Sequence, residues 1–367
     1  MEIIKFIKDS IHVTLAVVTA FAVTSCCEPI FDSEGDCEVT HRIIFRYDKN
    51  LKWADAFPSE VKSVNLYVFD RNGLFVKEYT GAGEELQQPD YAIVLDLPAD
   101  SYRFVAWCGL QDGAEARAAG EEGDSFTVPQ PVPGVTSIEE LTCTLNTKHG
   151  SAYADYSDTE LRFLYHGYLE ATLDDPHDGR VYDHRIDLTK DTNHIRIILQ
   201  EVSSEEDMDP VNYGFRIEAA NGFMEYDNRV PAGLPVVNYL WWSRVADEVG
   251  VGKIDAADGS LKYVRGVVAD LSVARLLVGQ QNEVMLIITN DSSPEQEVIA
   301  RVPLIQYALL SKEYYESAYG HRMTDQEFLD REDEFVMTFF LVNDRWLNTY
   351  IDIHQWRIVL HDYDVES

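Results

Sequence analysis

From Val39 onward the apolar positions recur with a period of two, the spacing of a half-buried β-strand. In Val64-Asn65-Leu66-Tyr67-Val68-Phe69 the residues Val64, Leu66 and Val68 fall on one face. Asp70-Arg71-Asn72-Gly73 follows, a set of residue types suited to a tight turn, and Leu74-Phe75-Val76 starts the return strand, which predicts a hairpin. Residues 92–97 predict another strand, and Pro98-Ala99-Asp100 turns the chain into a strand over 102–107. The second half repeats the style. Ile195, Ile197 and Leu199 share a face, Phe215-Arg216-Ile217 ends at the turn Asn221-Gly222, and residues 284–288 form an apolar run ending at Asn290-Asp291-Ser292. Residues 335–341 and 356–360 complete the set. Helix signals are few. Ser137-Ile138-Glu139-Glu140 and Thr324-Asp325-Gln326-Glu327 match the capping box, so each predicts a short helix.

Strands at this spacing with such turns predict an all-β protein built of antiparallel sandwiches. The 367 residues are too many for one ordinary sandwich and comfortable for two. The division is expected between Leu173 and Leu188, where residues 174–179 read as a solvated linker or loop. This gives an N-terminal domain over 39–180 and a C-terminal domain over 181–367, each large enough for its own core.

The N-terminus has a different pattern. Lys5 and Lys8 form a short basic region, partly offset by Glu2 and Asp9, and residues 11–24 carry no formal charge. Fourteen residues are too few for a spanning helix, which needs about 20, but they fit the apolar core of a secretory leader. Val23-Thr24-Ser25-Cys26 then resembles the lipobox of bacterial lipoproteins, in which a cysteine thiol is alkylated by a lipid donor at the membrane surface and a small residue precedes the cut. Residues 1–25 are therefore expected to be a lipoprotein signal peptide and Cys26 the lipidated residue. An ordinary leader beside an unrelated cysteine is the alternative, and Cys27 would have the poorer Ser25-Cys26 before it. Residues 26–38 are acidic, with Pro29 and Gly35 opposing regular structure, and read as a tether. They resemble the acidic export signals that send some lipoproteins of Bacteroidota to the cell surface.

Charge and chemistry narrow the function. Sixty-four acidic residues against 30 basic give a net charge of −34, which repels phosphate backbones and argues against nucleic-acid binding. The five cysteines (26, 27, 37, 108 and 143) show no metal-ribbon or redox spacing. Cys108 and Cys143 read as structural thiols, with a disulfide among Cys37, Cys108 and Cys143 left open. No phosphate loop, His-Glu-x-x-His or Gly-x-Ser-x-Gly occurs, so no cofactor, metal or catalytic residue is expected. His149, His166, His184 and His194 are scattered and read as structural. Asp174, Asp175 and Asp178 offer oxygen ligands for Ca²⁺ but lack the EF-hand pattern and read as a polar turn, and residues 205–209 read as a solvated loop. Trp241 and Trp242 with Tyr239 are either a carbohydrate-stacking platform or, as favoured here, core or subunit contact.

Several segments taken in order carry a family resemblance. They are Val64–Asp70 with Gly73, Leu97-Pro98 through Phe104-Val105-Ala106-Trp107, and Asp187-Leu188-Thr189-Lys190-Asp191-Thr192-Asn193-His194-Ile195-Arg196-Ile197. Further on come Phe215-Arg216-Ile217 with Asn221-Gly222, Asp270-Leu271-Ser272-Val273-Ala274-Arg275-Leu276, Phe328-Leu329-Asp330-Arg331 and Ile353-His354-Gln355-Trp356-Arg357-Ile358. Together with the lipobox they resemble the FimB-like fimbrial anchor lipoproteins of Bacteroidales type V pili, with one departure: His354-Gln355 stands where Asn-Gly is expected. The resemblance implies two tandem transthyretin-like β-sandwich domains, attachment to the outer membrane at the pilus base through the N-terminal lipid, and fimbrial shaft subunits (fimbrillin) as partners. It implies joining by β-strand exchange, in which an extended segment of one subunit completes the sheet of another. A glycan-binding surface lipoprotein is the alternative, and a hydrolase with dispersed carboxylates has only acid content behind it.

Overall fold

The computed structural model describes residues 39–110, 124–175, 179–203, 208–254, 261–280, 283–292, 296–347, 350–354 and 356–359. The expected leader, Cys26 and the tether lie outside these residues, as do Asp178, Glu205, Glu206 and Asp207. Among the described residues no helix is long and apolar enough to cross a membrane.

The chain is all-β. Its first half holds β1 (Thr40–Arg46), β2 (Ser63–Asp70), β3 (Phe75–Ala82), β4 (Ala92–Val94), β5 (Asp100–Cys108), β6 (Phe126–Thr127), β7 (Cys143–Leu145), β8 (Tyr156–Ser157), β9 (Tyr165–Leu173), β10 (Val181–Asp187) and β11 (Thr189–Lys190). A three-stranded sheet of order β10-β1-β4 faces a five-stranded sheet of order β11-β9-β5-β2-β3. Ile43, Phe45, Ile93 and Ile186 meet Val64, Leu66, Val68, Phe104 and Cys108 between them. The period-two reading of β2 holds, yet its other face is buried too: Tyr67 and Phe69, with Trp107, belong to the larger core that continues into the second half. The turn after β2 forms as expected. Asp70 Oδ1 accepts from the main-chain N–H of Asn72 at 2.8 Å and of Leu74 at 2.9 Å, and Gly73 takes the positive φ of 80°.

The second half holds β12 (Thr192–Glu201), β13 (Tyr213–Ala219), β14 (Phe223–Met224), β15 (Val237–Leu240), β16 (Ser243–Ile254), β17 (Leu261–Ala274), β18 (Met285–Asn290), β19 (Glu297–Pro303), β20 (Glu334–Val342), β21 (Arg345–Trp346), β22 (Tyr350–Ile353) and β23 (Trp356–Val359). One sheet has the order β16-β17-β12-β20-β22-β23, with β21 on β20, and the facing sheet has the order β19-β18-β13-β15-β8. Ile195, Ile197, Leu271, Phe335 and Phe339 from the first pack with Phe215, Ile217, Leu286 and Val302 from the second. Among the described residues four short helices accompany the strands: α1 (Phe57–Glu60), α2 (Leu304–Leu309), α3 (Lys312–Tyr319) and α4 (Asp325–Arg331). Thr324 caps α4, its Oγ1 accepting from Glu327 N at 3.1 Å. The other capping box opens only a single turn over Ile138–Glu140, with Glu140 accepting from Ser137 N at 2.7 Å.

Strand pairing corrects the division expected at residue 180/181. β10 begins at that boundary but runs parallel to β1 in register from Thr40↔Val181 to Arg46↔Asp187, and β11 pairs with β9. In the other direction β8 leaves the first half to pair with β15, and β7 pairs with β14. The two sandwiches thus exchange strands across the boundary: the first keeps a core of its own between its sheets, and the outer face of its five-stranded sheet packs into the larger core of the second. The sequence concealed β10 because only Ile186 in it is fully buried, while Asp183, Arg185 and Asp187 face solvent. A strand with a charged outer face carries little apolar periodicity, so its partner decides its state.

Candidate functional site

Three of the segments that carried the family resemblance lie far apart in sequence but meet at the junction of the sandwiches. Lys190 ends β11, the last strand of the first sandwich. Its side chain is 4% exposed and its ammonium pairs with Asp333 and lies 3.7 Å from Glu60. The same ammonium sits 3.4 Å from the ring centre of Phe163, a cation–π contact that adds to the ion pairs. Lys49 Nζ donates to Thr189 Oγ1 at 2.9 Å on the same crossing.

Asp191, the next residue, is completely buried. Its Oδ1 accepts from Asn228 Nδ2 at 2.8 Å and lies 3.6 Å from Arg275 Nε, an ion-pair distance too long for a hydrogen bond. Its Oδ2 has no hydrogen-bond partner among the described residues. Arg275, at the end of β17, donates from Nη2 to Asp330 at 3.0 Å and from Nη1 to the carbonyl of Asn228 at 2.9 Å. The neighbouring Arg331 reaches back across the junction, donating to the carbonyls of Asp48 at 2.9 Å and Asn50 at 3.4 Å. Its guanidinium also stacks 3.9 Å from the ring centre of Trp53, which holds a positive φ of 53°. The Asp-Leu-Thr-Lys-Asp, Ala-Arg-Leu and Leu-Asp-Arg segments are therefore parts of one ionic clamp that fixes the sandwiches to each other.

Burial dominates the titration of this clamp. It pushes the Asp191 carboxyl up to about 7 against the opposing pull of Arg275 and the hydrogen bond from Asn228. Burial likewise raises Glu332 to about 7, opposed by the hydrogen bond from Tyr315. Both groups bind more protons when folded than when unfolded between about pH 4 and pH 8, so stability is greatest at the acid end of that window and falls as pH rises through it. Each is expected to contribute a decline on the order of a few kcal/mol. Urea midpoints measured near pH 5 and pH 8 should differ in the wild type and converge in Asp191→Asn with Glu332→Gln; a stability that rises over this window would contradict the assignment. Asp270 acts in the opposite direction. Burial alone would raise it, but hydrogen bonds from His194 and Arg196 together with the charge of Arg196 hold it down to about 2. Its contribution is present at neutral pH and lost only as pH falls from about 4 through about 2.

The other residues singled out in the sequence are placed as follows. Tyr239 is buried and donates its hydroxyl to Asn221 Oδ1 at 2.7 Å, so it does not join Trp241 and Trp242 in an exposed platform. Arg244 covers the Trp241 ring at 4.1 Å, and Trp242 donates from Nε1 to Ser272 Oγ at 3.0 Å while its ring lies 5.6 Å from that of His194. His166 is buried against Trp107 with its imidazole accounted for by the carbonyl of Tyr226 at 2.8 Å, and burial lowers it to about 4. His184 meets a histidine the sequence did not suggest: its Nε2 lies 2.9 Å from Nδ1 of His41 across β1 and β10. Cys108 and Cys143 are buried free thiols. Asp174 and Asp175 join no metal-binding group among the described residues. His354, the departure from the expected turn, has a φ of 50° in the connection from β22 to β23, which is the left-handed conformation that Asn-Gly would adopt more readily. Its ring lies 5.6 Å from Tyr315 and 5.8 Å from Phe335.

Two cavities open beside the clamp. One of about 760 Å³ is walled by Phe163, Tyr165, Trp242, Glu160 and Arg162 among others. The second, about 350 Å³, lies between Tyr47, Lys190, Tyr315, Tyr319 and Glu332. Glu60 and Phe163 belong to both.

Comparisons with known proteins agree with the architecture. Over residues 33–362 the chain matches the family described as fimbrillin-A associated anchor proteins Mfa1 and Mfa2. A Bacteroides thetaiotaomicron protein described as a candidate adhesin is 29% identical, superposes with a TM-score of 0.72, and is matched over 89% of this chain and 99% of its own. A second B. thetaiotaomicron structure, described as a candidate polysaccharide-binding protein, is 24% identical with a TM-score of 0.69 over 90% of this chain and all of the other. The fimbrial anchor protein Mfa2 from Porphyromonas gingivalis shares the fold at 18% identity, with a TM-score of 0.60 over 89% of this chain and all of the other. No curated protein matches the chain.

Proposed function

We propose that this chain, which belongs to the fimbrillin-A associated anchor family, is a non-enzymatic subunit held in the outer membrane by acyl chains on Cys26 and joined to fimbrillin shaft subunits by β-strand exchange. The family match over residues 33–362 is the observation that carries the reading. The mechanics of the body support it. The acidic tether leads into β1, the middle strand of its sheet, paired at seven positions with β10 and at three with β4. A pull along β1 loads these hydrogen bonds together in shear rather than opening them one by one. The clamp of Lys190, Arg275 and Arg331 then passes the load to the second sandwich without a flexible linker.

Strand exchange needs an edge with unpaired main-chain groups. β16 is the longest edge strand, and β17 pairs with β12 only from Val267 to Ala274. From Asp247 to Ile254 and from Leu261 to Gly266 the two strands continue as a ribbon past the end of that pairing. A two-stranded ribbon is marginal by itself, and a third strand added along it supplies main-chain hydrogen bonds and burial. We assign this ribbon as the place where the shaft subunit adds its strand.

Shortening the hairpin by removing residues 248–264 leaves the β12–β17 pairing and every described core residue in place. The shortened protein is expected to fold, remain in the membrane fraction and no longer co-purify with shaft subunits, and cells carrying it should shed or misregulate fibres under the electron microscope. Undiminished co-purification would eliminate the ribbon as the joining edge. Normal fibres on cells lacking the whole gene would eliminate the anchor reading itself.

A further inference from the structure

We propose that the cleft formed by the two cavities beside the clamp is a binding site for a neutral saccharide. Its aromatic content is the first observation. Phe163 is 47% exposed although it stands between the cavities, and Tyr319 is also 47% exposed at the far wall. Tyr315 and Tyr319 lie nearly parallel, with their planes 5° apart, and Trp242 also lines the larger cavity. Rings held at several points along a cleft offer apolar faces to the C–H faces of successive sugar units, whereas a single ring on a convex surface offers only one.

Charge is the second observation. The larger cavity sets Glu60, Asp158 and Glu160 against Lys62 and Arg162. The smaller adds Glu332, Asp333 and Glu334 against Lys52, Lys190 and Arg331. Six carboxyls face five cations in a protein whose overall net charge is −34, so the cleft is close to electroneutral where the rest of the surface is not. A basic peptide would find little net attraction there, and an anionic glycan would meet the field of the whole acidic body. A neutral polyol suits the combination, since each hydroxyl both donates and accepts and can insert between paired charges without a change in net charge. Glu332 contributes further, because burial keeps its carboxyl protonated over part of the neutral range and able to donate. The larger cavity, about 760 Å³, falls within the usual size of a small-ligand site, and the junction of two bodies is a common location for one.

This site is separate from the ribbon assigned to the shaft subunit, so either can fail without the other. The test is titration calorimetry of the full mature chain in detergent with neutral linear oligosaccharides, namely maltohexaose, cellohexaose, xylohexaose and α-mannohexaose. At least one is expected to bind the wild type. Phe163→Ala and Tyr319→Ala each remove a half-exposed ring and should weaken that binding about tenfold or more, with shaft co-purification unchanged in both; thermal unfolding should be unchanged in Tyr319→Ala and lowered in Phe163→Ala, which also loses the cation–π contact with Lys190. Absence of binding by the whole panel would overturn the proposal. So would equal affinity in both folded variants, or displacement of the sugar by a peptide from the shaft subunit, which would make the cleft a peptide site instead.

Discussion

Cys26→Ala is expected to transfer the protein almost completely from the membrane fraction to the soluble fraction. A single myristoyl-length chain gives an association constant on the order of 10⁴ M⁻¹, which is reversible, and each further acyl chain adds about 0.8 kcal/mol for every buried CH₂. A lipoprotein carrying several chains is therefore effectively fixed, and loss of the one acceptor thiol removes all of them together. Among the described residues no helix is long and apolar enough to span a bilayer, and the net charge of −34 opposes adsorption to anionic lipid. Fractionation followed by immunoblotting reads the result, and mass spectrometry of the mature N-terminus reads the modification. Cys27→Ala should leave the partition as it is. Membrane retention of the Cys26→Ala protein after an alkaline wash would refute the lipid assignment.

The second large effect concerns the clamp. Arg275→Ala withdraws the only guanidinium within ion-pair distance of Asp191 among the described residues and at the same time leaves Asp330 with Gln326 as its remaining donor. Above about pH 7, where Asp191 is ionised in the wild type, removing one partner of a buried pair leaves an uncompensated charge, which typically costs 3–5 kcal/mol and so exceeds the roughly 1 kcal/mol of an ordinary surface pair. Chemical denaturation should show a loss of about this size. The double variant Arg275→Ala with Asp191→Asn should recover part of it, because the buried carboxylate is then gone and the two changes share one network. A loss below about 1 kcal/mol would mean that the sandwiches are joined by their common apolar core and that the ions add little. Lys190→Ala is the milder comparison, since Asp333 is partly exposed and can be solvated once its partner is removed.

The residues of the clamp illustrate how a family resemblance and a site can be the same thing seen from two sides. Lys190, Asp191, Arg275, Asp330 and Arg331 were all conspicuous in the sequence as fragments of recognisable segments, yet nothing in their spacing indicated that they meet. They are separated by as much as 141 positions, and ionic side chains carry no periodicity that would point to a partner. The expected domain boundary failed for a related reason. An acidic, proline-containing stretch reads as a linker wherever it occurs, yet the strands on its two sides, β9 and β10, both belong to the first sandwich. The aromatic pair Trp241-Trp242 is the reverse case: its chemistry was legible, but whether its faces are free depends on Arg244, Ser272 and His194, which only the fold brings to it.

The sequence by itself determined the local states. Alternation marked β2, β5, β12, β13 and β20, because side chains leave a strand on opposite sides and only one side need be apolar to be noticed. Asp70 to Gly73 marked its turn because the backbone there requires a positive φ and a side-chain acceptor. Tertiary structure decided which strands pair, that β10 completes the first sandwich, that β7 and β8 cross into the second, and that His354 must hold a left-handed turn. Those outcomes depend on contacts between residues distant along the chain, where burial and unpaired main-chain groups at each edge select the partner and local propensity has no say.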